Sequence, residues 1–308
     1  MKIVLSASDT TQLLTIEDFI RYGENLFDKA DLYFGHGTDN AWDEAVALVL
    51  HCLKLPAHSG PEVLDTKLED SQKALVEAIF QQRIEQRIPA PYLTGKSWFS
   101  GLCFHVDERV LIPRSPIAEL IEQQFSPWLF DEPRQILDLC TGSGCIGLAC
   151  AVAFPEAKVL LSDISAEALA VARKNTLEHA LEDRVTLVES DLFSAIEQGF
   201  DLIVVNPPYV DADDLADMPE EYHSEPKLAL ASGFDGLDFT RRLLREASGH
   251  LSEKGCLCVE VGNSRRHLEA ALPEMPFNWL EFERGGDGVF ILYREDLLAC
   301  ADDLSQLP

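Results

Sequence analysis

The second part of the chain alternates short apolar runs with segments of helical spacing, and this alternation restricts its fold more than any other feature. The apolar runs predict strands near residues 135–139, 158–162, 185–188, 201–205 and 256–261. Between them lie segments of helical periodicity, the clearest at 165–179, where Ser165 can cap the first turn. Strands that alternate with helices form a parallel sheet covered on both faces, so we predict an α/β fold.

The end of the chain breaks this alternation. Apolar segments at 278–282 and 289–293 flank a glycine-rich turn at 285–288, which predicts an antiparallel strand pair at one edge of the sheet. The acidic residues 295–308 are expected to form a short helix and a tail.

The first ninety residues have a different texture. We expect a loose lead-in at 1–12, followed by helices at 15–34, 40–53 and 69–87, the first of them capped by Thr15. Apolar residues that alternate with small turn residues after position 91 predict a β-hairpin. The helix that follows is predicted to have Ser115 as its cap and Pro116 in its first turn. The predicted organisation is a small helical domain at 1–90, a β-hairpin linker at 91–114, and an α/β domain at 115–308.

The charge balance argues against nucleic acid as a direct partner. The chain has 53 Asp and Glu residues against 25 Lys and Arg residues, a formal net charge of −28. Proteins that bind a phosphate backbone normally carry a basic face, and no stretch rich in Lys or Arg occurs here. The acidic surface serves either solubility or the long-range attraction of a basic protein partner.

Several other classes of protein are disfavoured by composition. No apolar stretch approaches the roughly 20 residues that a membrane span needs, and the start has no export signal. The eight cysteines form no Cys-x-x-Cys pair and have no histidines at zinc spacing, so we expect no metal site. These features predict a cytoplasmic protein without a membrane segment.

A glycine loop follows the predicted strand at 135–139. Gly142-x-Gly144-x-x-Gly147 lets a ligand approach the backbone closely, and Asp163 at the end of the next strand can bind both hydroxyls of an adenosine ribose. This pattern alone fits a nicotinamide dehydrogenase as well as an enzyme that uses S-adenosylmethionine. Asp138, inside the leading strand, would repel a pyrophosphate but not a cationic sulfonium, or it simply caps the loop.

A second motif separates these two cofactors. Asn206-Pro207-Pro208-Tyr209 comes directly after the apolar run at 202–205. The Asn206 side-chain oxygen and the Pro207 carbonyl can accept the two N–H groups of a planar amide or aryl amine, and proline presets the aim of its own carbonyl. Tyr209 can lie against the flat target group. Nothing in a dehydrogenase requires this corner, whereas a methyltransferase that acts on a planar nitrogen does.

The sequence is similar to the HemK family of N(5)-glutamine methyltransferases over nearly its whole length. The similarity is carried by Asp138–Gly144, Asp163, Ser190–Phe193 and Asn206–Tyr209. It implies a Rossmann-like class I methyltransferase with a mainly parallel seven-stranded sheet and an antiparallel edge. It also implies S-adenosylmethionine as cofactor, and an N-terminal helical domain that recognises the substrate.

Other segments resemble the branch of this family that acts on large-subunit ribosomal protein L-three (uL3). Residues 111–120 replace the Pro-Arg-x-Glu-Thr-Glu pattern of the release-factor branch. The segment 209–222, followed by Glu225-Pro226 and Gly236-Leu237-Asp238, is similar to the ribosomal-protein branch. The implied partner is a basic ribosomal protein. Cys140 departs from the family, which often has glycine there, and leaves slightly less room for the cofactor.

The resemblance also implies roles for individual residues. Catalysis is assigned to Asn206, Pro207 and Tyr209. Substrate binding adds Pro208 and Arg114, although Arg114 is equally well explained as a surface cation. Cofactor contacts are assigned to Asp138, Cys140, Thr141, Gly142, Ser143, Gly144, Asp163, Asp191, Leu192 and Asn206. In this assignment the loop holds the methionine part, Asp163 the ribose, and Asp191 with Leu192 the adenine.

Three further alternatives remain open at this point. A methyltransferase for peptide-chain release factors shares most of these motifs. A methyltransferase for adenine N6 in nucleic acids uses the same kind of Asn-Pro-Pro-Tyr corner for a flipped base, although the net charge of −28 argues against it. A ribosome-assembly factor without turnover is the non-enzymatic alternative, and the intact Asn206 and glycine loop argue against it.

Overall fold

The computed structural model describes residues 13–307, so the predicted lead-in at 1–12 lies outside the described residues. These residues divide into two compact units. The helical unit takes in residues 13–96 and Pro219–Ser224. The α/β unit takes in Ser97–Met218 and 225–307.

The helical unit contains α1 (Ile16–Lys29), α2 (Ala41–Cys52), α3 (Asp70–Gln86) and α4 (Ala90–Thr94), with a 3-10 turn at Pro61–Val63. The Thr15 hydroxyl accepts the Asp18 N–H at the start of α1, and the Asp18 carboxylate accepts the Thr15 N–H in return. This capping box confirms the predicted cap. The helices pack around buried aromatic and aliphatic side chains, including an edge-to-face contact of 5.1 Å between the ring centres of Phe27 and Phe80.

The prediction of a β-hairpin from residue 91 onward is wrong at its start. Residues 90–94 form α4, and the hairpin consists of β1 (Lys96–Phe99) and β2 (Leu102–His105). Pro91 lies in the first turn of α4, where a missing N–H removes no helical hydrogen bond. Gly95 then ends the helix in the left-handed region, with φ of 68°.

The α/β unit is built on β3 (Gln135–Leu139), β4 (Lys158–Asp163), β5 (Val185–Glu189), β6 (Phe200–Val205), β7 (Leu251–Glu260), β8 (Asn278–Trp279) and β9 (Val289–Tyr293). They form a seven-stranded sheet in the order β5-β4-β3-β6-β7-β9-β8. The first five of these strands are mutually parallel, and β9 runs antiparallel to both β7 and β8. Both the parallel sheet and its antiparallel edge were predicted.

Helices cover both faces of this sheet. The helices of the α/β unit are α5 (Ile117–Glu122), α6 (Cys145–Ala153), α7 (Ala166–Glu178), α8 (Ala212–Asp217), α9 (Asp238–Glu246), α10 (Arg265–Ala271), α11 (Arg294–Ala299) and α12 (Ala301–Ser305), of which α8 has no buried residue. Two apolar clusters, one on each face, bury the strands. Ser165 caps α7 by accepting the Ala168 N–H at 3.1 Å, as predicted. No helix between residues 13 and 307 is long and apolar enough to cross a membrane.

The strand register brings the ends of four strands into one row. Leu139 of β3 pairs with Ser162 of β4 on one side and with Val205 of β6 on the other. Val205 in turn pairs with Val259 of β7. The next residue of each strand or loop therefore lies at the carboxyl edge of the sheet: Cys140, Asp163, Asn206 and Glu260. The chain reverses its direction of winding between β3 and β6, the place where open α/β sheets bind ligands.

Candidate active site at the carboxyl edge of the sheet

The side chain of Asp138 is hydrogen-bonded to the glycine loop that follows β3 and to the start of α6. One carboxylate oxygen of Asp138 accepts the Thr141 hydroxyl at 2.5 Å and the Gly147 N–H at 2.8 Å. Burial raises the pKa of Asp138 to about 7, although both of these bonds act to lower it. Its other oxygen has no hydrogen-bond partner within residues 13–307. These contacts are those of a loop cap, the second of the two interpretations of Asp138, and its role toward a cofactor remains a prediction.

The loop backbone adopts the left-handed region at three positions. The φ angles are 57° at Cys140, 54° at Gly142 and 84° at Gly144. A side chain at Gly142 would meet no atom within 4 Å, so the backbone there faces open space. The Gly142 N–H donates to one oxygen of Asp163 at 2.9 Å, and the Ser165 N–H donates to the other at 2.9 Å. Asp163 thereby joins the glycine loop to the start of α7, and burial raises its pKa.

A cavity of about 720 Å³ opens above these strand ends. Its volume lies within the roughly 300–1,000 Å³ of typical small-molecule sites. The wall includes these residues that the sequence predicted: Arg114, Cys140, Thr141, Gly142, Ser143, Asp163, Asp191, Leu192, Asn206 and Pro208. The four other predicted site residues, Asp138, Gly144, Pro207 and Tyr209, are described by the structure but are not part of the wall. The structure therefore brings most of the predicted cofactor residues together around one space.

Leu192 contributes an apolar part of the wall in an unusual conformation. Its φ of 50° lies in the left-handed region, where leucine is rare. The Ser190 hydroxyl donates to the Leu192 carbonyl at 2.8 Å and accepts the Ala195 N–H at 3.0 Å, which stabilises this turn. Beside it, Arg242 of α9 donates to the Asp191 carboxylate at 3.0 Å.

Residues 206–209, which we call the Asn206 corner, follow β6 on the other side of the row of strand ends. Asn206 and Pro208 are half-buried and line the cavity, and Pro207 is buried. In the described part of the chain, neither the Asn206 side chain nor the Pro207 carbonyl is hydrogen-bonded to another residue. The Asn206 side chain is therefore open to a ligand in the cavity, whereas contact of the buried Pro207 carbonyl with a ligand remains a prediction.

Tyr209 is held by the residues at and after the end of β7. Its hydroxyl donates to Glu260 at 2.9 Å, and its carbonyl accepts the Ser264 hydroxyl at 2.7 Å. A side chain at Gly262 would come within 2.7 Å of the Tyr209 ring, so the ring lies directly on that glycine. The expected contact of Tyr209 with a target group remains a prediction.

Comparison with known proteins identifies the family. The model of the methyltransferase small domain matches residues 119–222. A ribosomal protein uL3 glutamine methyltransferase of Francisella tularensis is 48% identical over 293 residues, which cover 94% of this chain and 93% of that protein. A protein of the same name from Neisseria gonorrhoeae is 50% identical over 290 residues, covering 93% of this chain and 97% of that protein.

The chain belongs to the ribosomal protein uL3 glutamine methyltransferase family. Its α/β unit is the class I methyltransferase domain, in agreement with the predicted fold. Among solved structures, the Thermus thermophilus 16S rRNA N2 G1207 methyltransferase, in complex with AdoMet and guanosine, is 20% identical with a TM-score of 0.45. The alignment covers 64% of this chain and 49% of that one.

Arg114 of this methyltransferase is tied to the residues around it. Its two terminal nitrogens donate to the two carboxylate oxygens of Glu225, at 2.7 and 2.8 Å. The same Glu225 also accepts the Ile112 N–H at 3.0 Å, and its side chain is fully buried. Arg114 therefore fixes the segment 112–115 against residue 225 while it lines the cavity, which is more than a surface cation does.

Sequence reasoning missed two buried glutamates and misplaced one cap. The sequence predicts no role for Glu225 beyond its place in a family-like segment, and none for Glu260. Glu260 could have been found, because it ends a predicted parallel strand at the same edge of the sheet as Asp163 and Asn206. Ser115 was predicted to cap the next helix, but α5 begins at Ile117 with Pro116 at the cap position. The Ser115 hydroxyl instead donates to Glu260 at 2.5 Å while accepting the Ile117 N–H at 3.2 Å.

The described residues contain no cluster of side chains that could bind a metal ion. No group of three or more His, Cys, Asp or Glu side chains that could hold a metal ion occurs between residues 13 and 307. The eight cysteines are free thiols. For Cys145 and Cys256, burial raises the pKa to about 12. Thiols with such a pKa stay protonated near neutral pH and pack as small apolar side chains.

Proposed function

We propose that the protein transfers a methyl group from S-adenosylmethionine to the side-chain amide nitrogen of one glutamine in large-subunit ribosomal protein uL3. The observation that carries this proposal is the pair of acceptors at Asn206 and Pro207, neither hydrogen-bonded within residues 13–307, beside the cavity over the glycine loop. The names of the two relatives, at 48% and 50% identity over almost the whole chain, support uL3 as the substrate.

The cavity wall has the chemistry that this cofactor needs. Ile164 and Leu192 line the cavity with apolar surface for a base, and Asp163, which also lines it, is our proposed partner for the ribose hydroxyls. The open backbone at Gly142 allows close approach by the amino-acid part. When bound, S-adenosylmethionine supplies an electrophilic methyl group on a positively charged sulfur.

The protein's own contribution is to hold the amide in place. An amide nitrogen is a weak nucleophile because its lone pair is delocalised. Accepting one N–H at Asn206 and the other at the Pro207 carbonyl turns the face of the nitrogen toward the methyl donor. Alignment of this kind contributes up to about 7–11 kcal/mol in well-oriented systems. Once the nitrogen carries the methyl group its proton becomes acidic and water takes it, so no side-chain base is required.

We further propose that the helical unit recognises the uL3 substrate and that the acidic surface attracts it. The net charge of −28 suits a basic protein. Direct binding of nucleic acid is not part of this proposal, because the chain has no stretch rich in Lys or Arg. The free cysteines fit a reducing compartment such as the cytoplasm.

The proposed activity is tested by incubating the full-length protein with methyl-labelled S-adenosylmethionine and, separately, purified uL3, peptide-chain release factors and ribosomal RNA. Label is expected in uL3 alone, on one glutamine located by peptide mass spectrometry. A uL3 in which that glutamine is replaced by glutamate should remain unlabelled. Label in a release factor or in RNA adenine would instead support one of the two alternative methyltransferases.

Asn206→Ala is the sharpest variant of the site. It should lower kcat on uL3 by about 100-fold or more, because misplacement of a reacting group costs this much. Its dissociation constant for S-adenosylmethionine, measured by calorimetry, should change by less than about threefold, since the main proposed contact of Asn206 is to the amide and the other nine assigned cofactor residues are unchanged. Asn25→Ala, an exposed asparagine of α1, is the control and should match the wild type. Near-normal turnover by Asn206→Ala would refute the role of Asn206.

A further inference from the structure

Tyr209 is restrained more tightly than a residue that simply closes a turn. Glu260 accepts its hydroxyl, the Ser264 hydroxyl donates to its carbonyl, and its ring lies on Gly262. All three of these partners come from the end of β7 and the turn that follows it. The Asn206 corner of β6 is therefore shaped by the neighbouring strand.

Glu260 also reaches the opposite side of the site. Its second carboxylate oxygen accepts the Ser115 hydroxyl at 2.5 Å, and Ser115 lines the cavity. Glu260 is only 5% exposed and is not part of the cavity wall. One buried carboxylate thus joins Ser115, on the segment before α5, to Tyr209, on the corner after β6. We call these three residues the Ser115–Glu260–Tyr209 bridge.

The bridge is not built for proton transfer. Both oxygens of Glu260 are occupied by hydroxyl donors, and no atom of Glu260 contributes to the wall where a substrate would bind. Burial raises its pKa, while the two hydroxyl donors and the charge of Arg114 act to lower it. Burying a carboxylate costs free energy, which the two hydroxyl donors partly offset. Loss of either donor would leave a buried oxygen unsatisfied, so the three side chains are held in one arrangement.

We propose that Glu260 is a positioning residue for methyl transfer: through the bridge it sets the Asn206 corner at a fixed distance from the cavity wall at Ser115. This inference rests on the proposed function for its effect on turnover, but the geometry that it describes can be measured without any reaction. Glu260 acts through Tyr209 and Ser115 and does not itself touch the substrate.

The structural part is tested by amide hydrogen exchange on the full-length protein. Glu260→Gln keeps the size of the side chain and one acceptor oxygen but removes the charge. It should speed exchange of the Tyr209 and Val210 amides about tenfold or more, since it loosens the corner. Glu253→Gln, the same change at an exposed position of the same strand, should leave these amides unchanged. Unaltered exchange at Tyr209 and Val210 in Glu260→Gln would overturn the proposal, whether or not uL3 is the substrate.

The functional part is tested by a double-mutant cycle. Glu260→Gln and Tyr209→Phe should each lower kcat about 10- to 100-fold, because the amide is misaligned, while the dissociation constant for S-adenosylmethionine changes less than about threefold. The double variant should be no slower than the slower single variant, since both changes act on the same bridge. Multiplicative losses, or equal losses in kcat and cofactor affinity, would show that Glu260 supports the fold generally and would sink the positioning role.

Failure of this inference can be told apart from failure of the proposed function. If the wild-type protein labels no glutamine in uL3 but Glu260→Gln still loosens Tyr209, the bridge stands and the substrate is wrong. If uL3 is labelled and the bridge variants exchange and turn over as the wild type does, the substrate stands and the bridge is wrong.

Discussion

Buried carboxylates of the helical unit have partners that differ from those of two buried acids in the α/β methyltransferase unit. In the helical unit, Arg83 is 1% exposed and donates to Glu44 at 2.5 Å, to Glu221 at 3.2 Å and to the Tyr33 carbonyl at 2.9 Å. In the methyltransferase unit, Glu225 is paired with Arg114 in the same way, but the buried Asp138 and Glu260 accept hydroxyl and amide donors instead.

This difference has consequences for the charge of each acid. Burial alone would raise the pKa of Glu221, but the Tyr33 N–H, Arg87 and Arg83 outweigh it, so its pKa lies below the usual range. Burial dominates for Asp138 and Glu260, whose pKa values are raised. In the helical unit, Arg83 thus neutralises the buried carboxylates of Glu44 and Glu221. Asp138 and Glu260 have no directly bonded cation, whereas Glu225, which is also buried at this site, is paired with Arg114.

The buried ion pairs of the helical unit also hold a distant piece of chain. Glu221 belongs to the 3-10 turn Glu220–Ser224, which lies in the helical unit although the flanking residues belong to the methyltransferase unit. Tyr222 of the same turn packs its ring 4.5 Å from the ring centre of His36. Arg83 and Glu44 therefore stabilise the packing of the turn Glu220–Ser224 within the helical unit, which no local sequence signal predicts.

Arg83→Ala should have the largest effect among the variants that separate these two kinds of burial. It leaves Glu44 without its cation and Glu221 with Arg87 alone, and breaking a buried pair in this way costs about 3–5 kcal/mol. Calorimetric unfolding should show the loss in the transition of the helical unit. Arg21→Ala removes an exposed pair with Glu17 and should cost less than about 1 kcal/mol. Equal losses for the two variants would mean that the Arg83 network is not an anchor.

Asp138→Asn should produce a smaller effect that depends on pH. The folded protein binds a proton at Asp138 up to about pH 7, whereas the unfolded chain releases it near the ordinary value of 3.8. Stability therefore falls as pH rises between these values, and the loss is complete above about pH 7. Between about pH 5 and about pH 8, the wild type should lose roughly 2–3 kcal/mol relative to Asp138→Asn.

The measurement for Asp138 is denaturant unfolding of both proteins across this pH range. The helical unit provides an internal comparison, because the lowered pKa of Glu221 affects stability only at more acidic pH. A constant difference between wild type and Asp138→Asn at every pH would show that Asp138 is ionised throughout, and the contrast between the two units would disappear.

Salt should have the smallest effect, and it should distinguish surface charge from buried charge. Raising ionic strength from about 0.02 to about 0.15 M screens the acidic surface and should lower kcat/KM on uL3 by about tenfold, or about 1.4 kcal/mol. The kcat value should change little, because the grip on the amide is local. The melting of the helical unit should also respond weakly, since its arginine pairs are buried.

A short uncharged peptide with the same glutamine is the control for the salt experiment. Its kcat/KM should be nearly independent of salt, because it carries nothing for the surface to attract. If peptide and protein respond alike, the charge of −28 serves solubility and does not steer the substrate.

Much of the methyltransferase unit could be predicted because its central strands are buried on both faces. Such strands appear in the sequence as continuous apolar runs, and β3 and β6 were located to within one residue. The glycine loop and the Asn206 corner were found because each has a distinctive local composition directly after a strand. Their proximity followed from the rule that ligands bind at the carboxyl ends of parallel strands.

The errors occurred where a residue's role depends on a distant partner. Residues 91–95 have strand-like apolar content, but Pro91 and Gly95 suit the first turn and the end of a short helix. Arg114 could not be assigned without Glu225, which lies 111 positions away along the chain. Ser115 could not be separated from an ordinary helix cap without Glu260, 145 positions away.

The sequence by itself determined the alternating architecture, the glycine loop over β3 and the Asn206 corner after β6, because apolar periodicity and proline or glycine geometry act over a few residues. Only the tertiary structure decided which buried acids neutralise arginines and which hold hydroxyls. It also placed Pro219–Ser224 in the helical unit and joined Ser115 to Tyr209 through Glu260. The physical reason is that a carboxylate's partners are set by the strand register and packing that surround it, and residues far apart in the chain supply them.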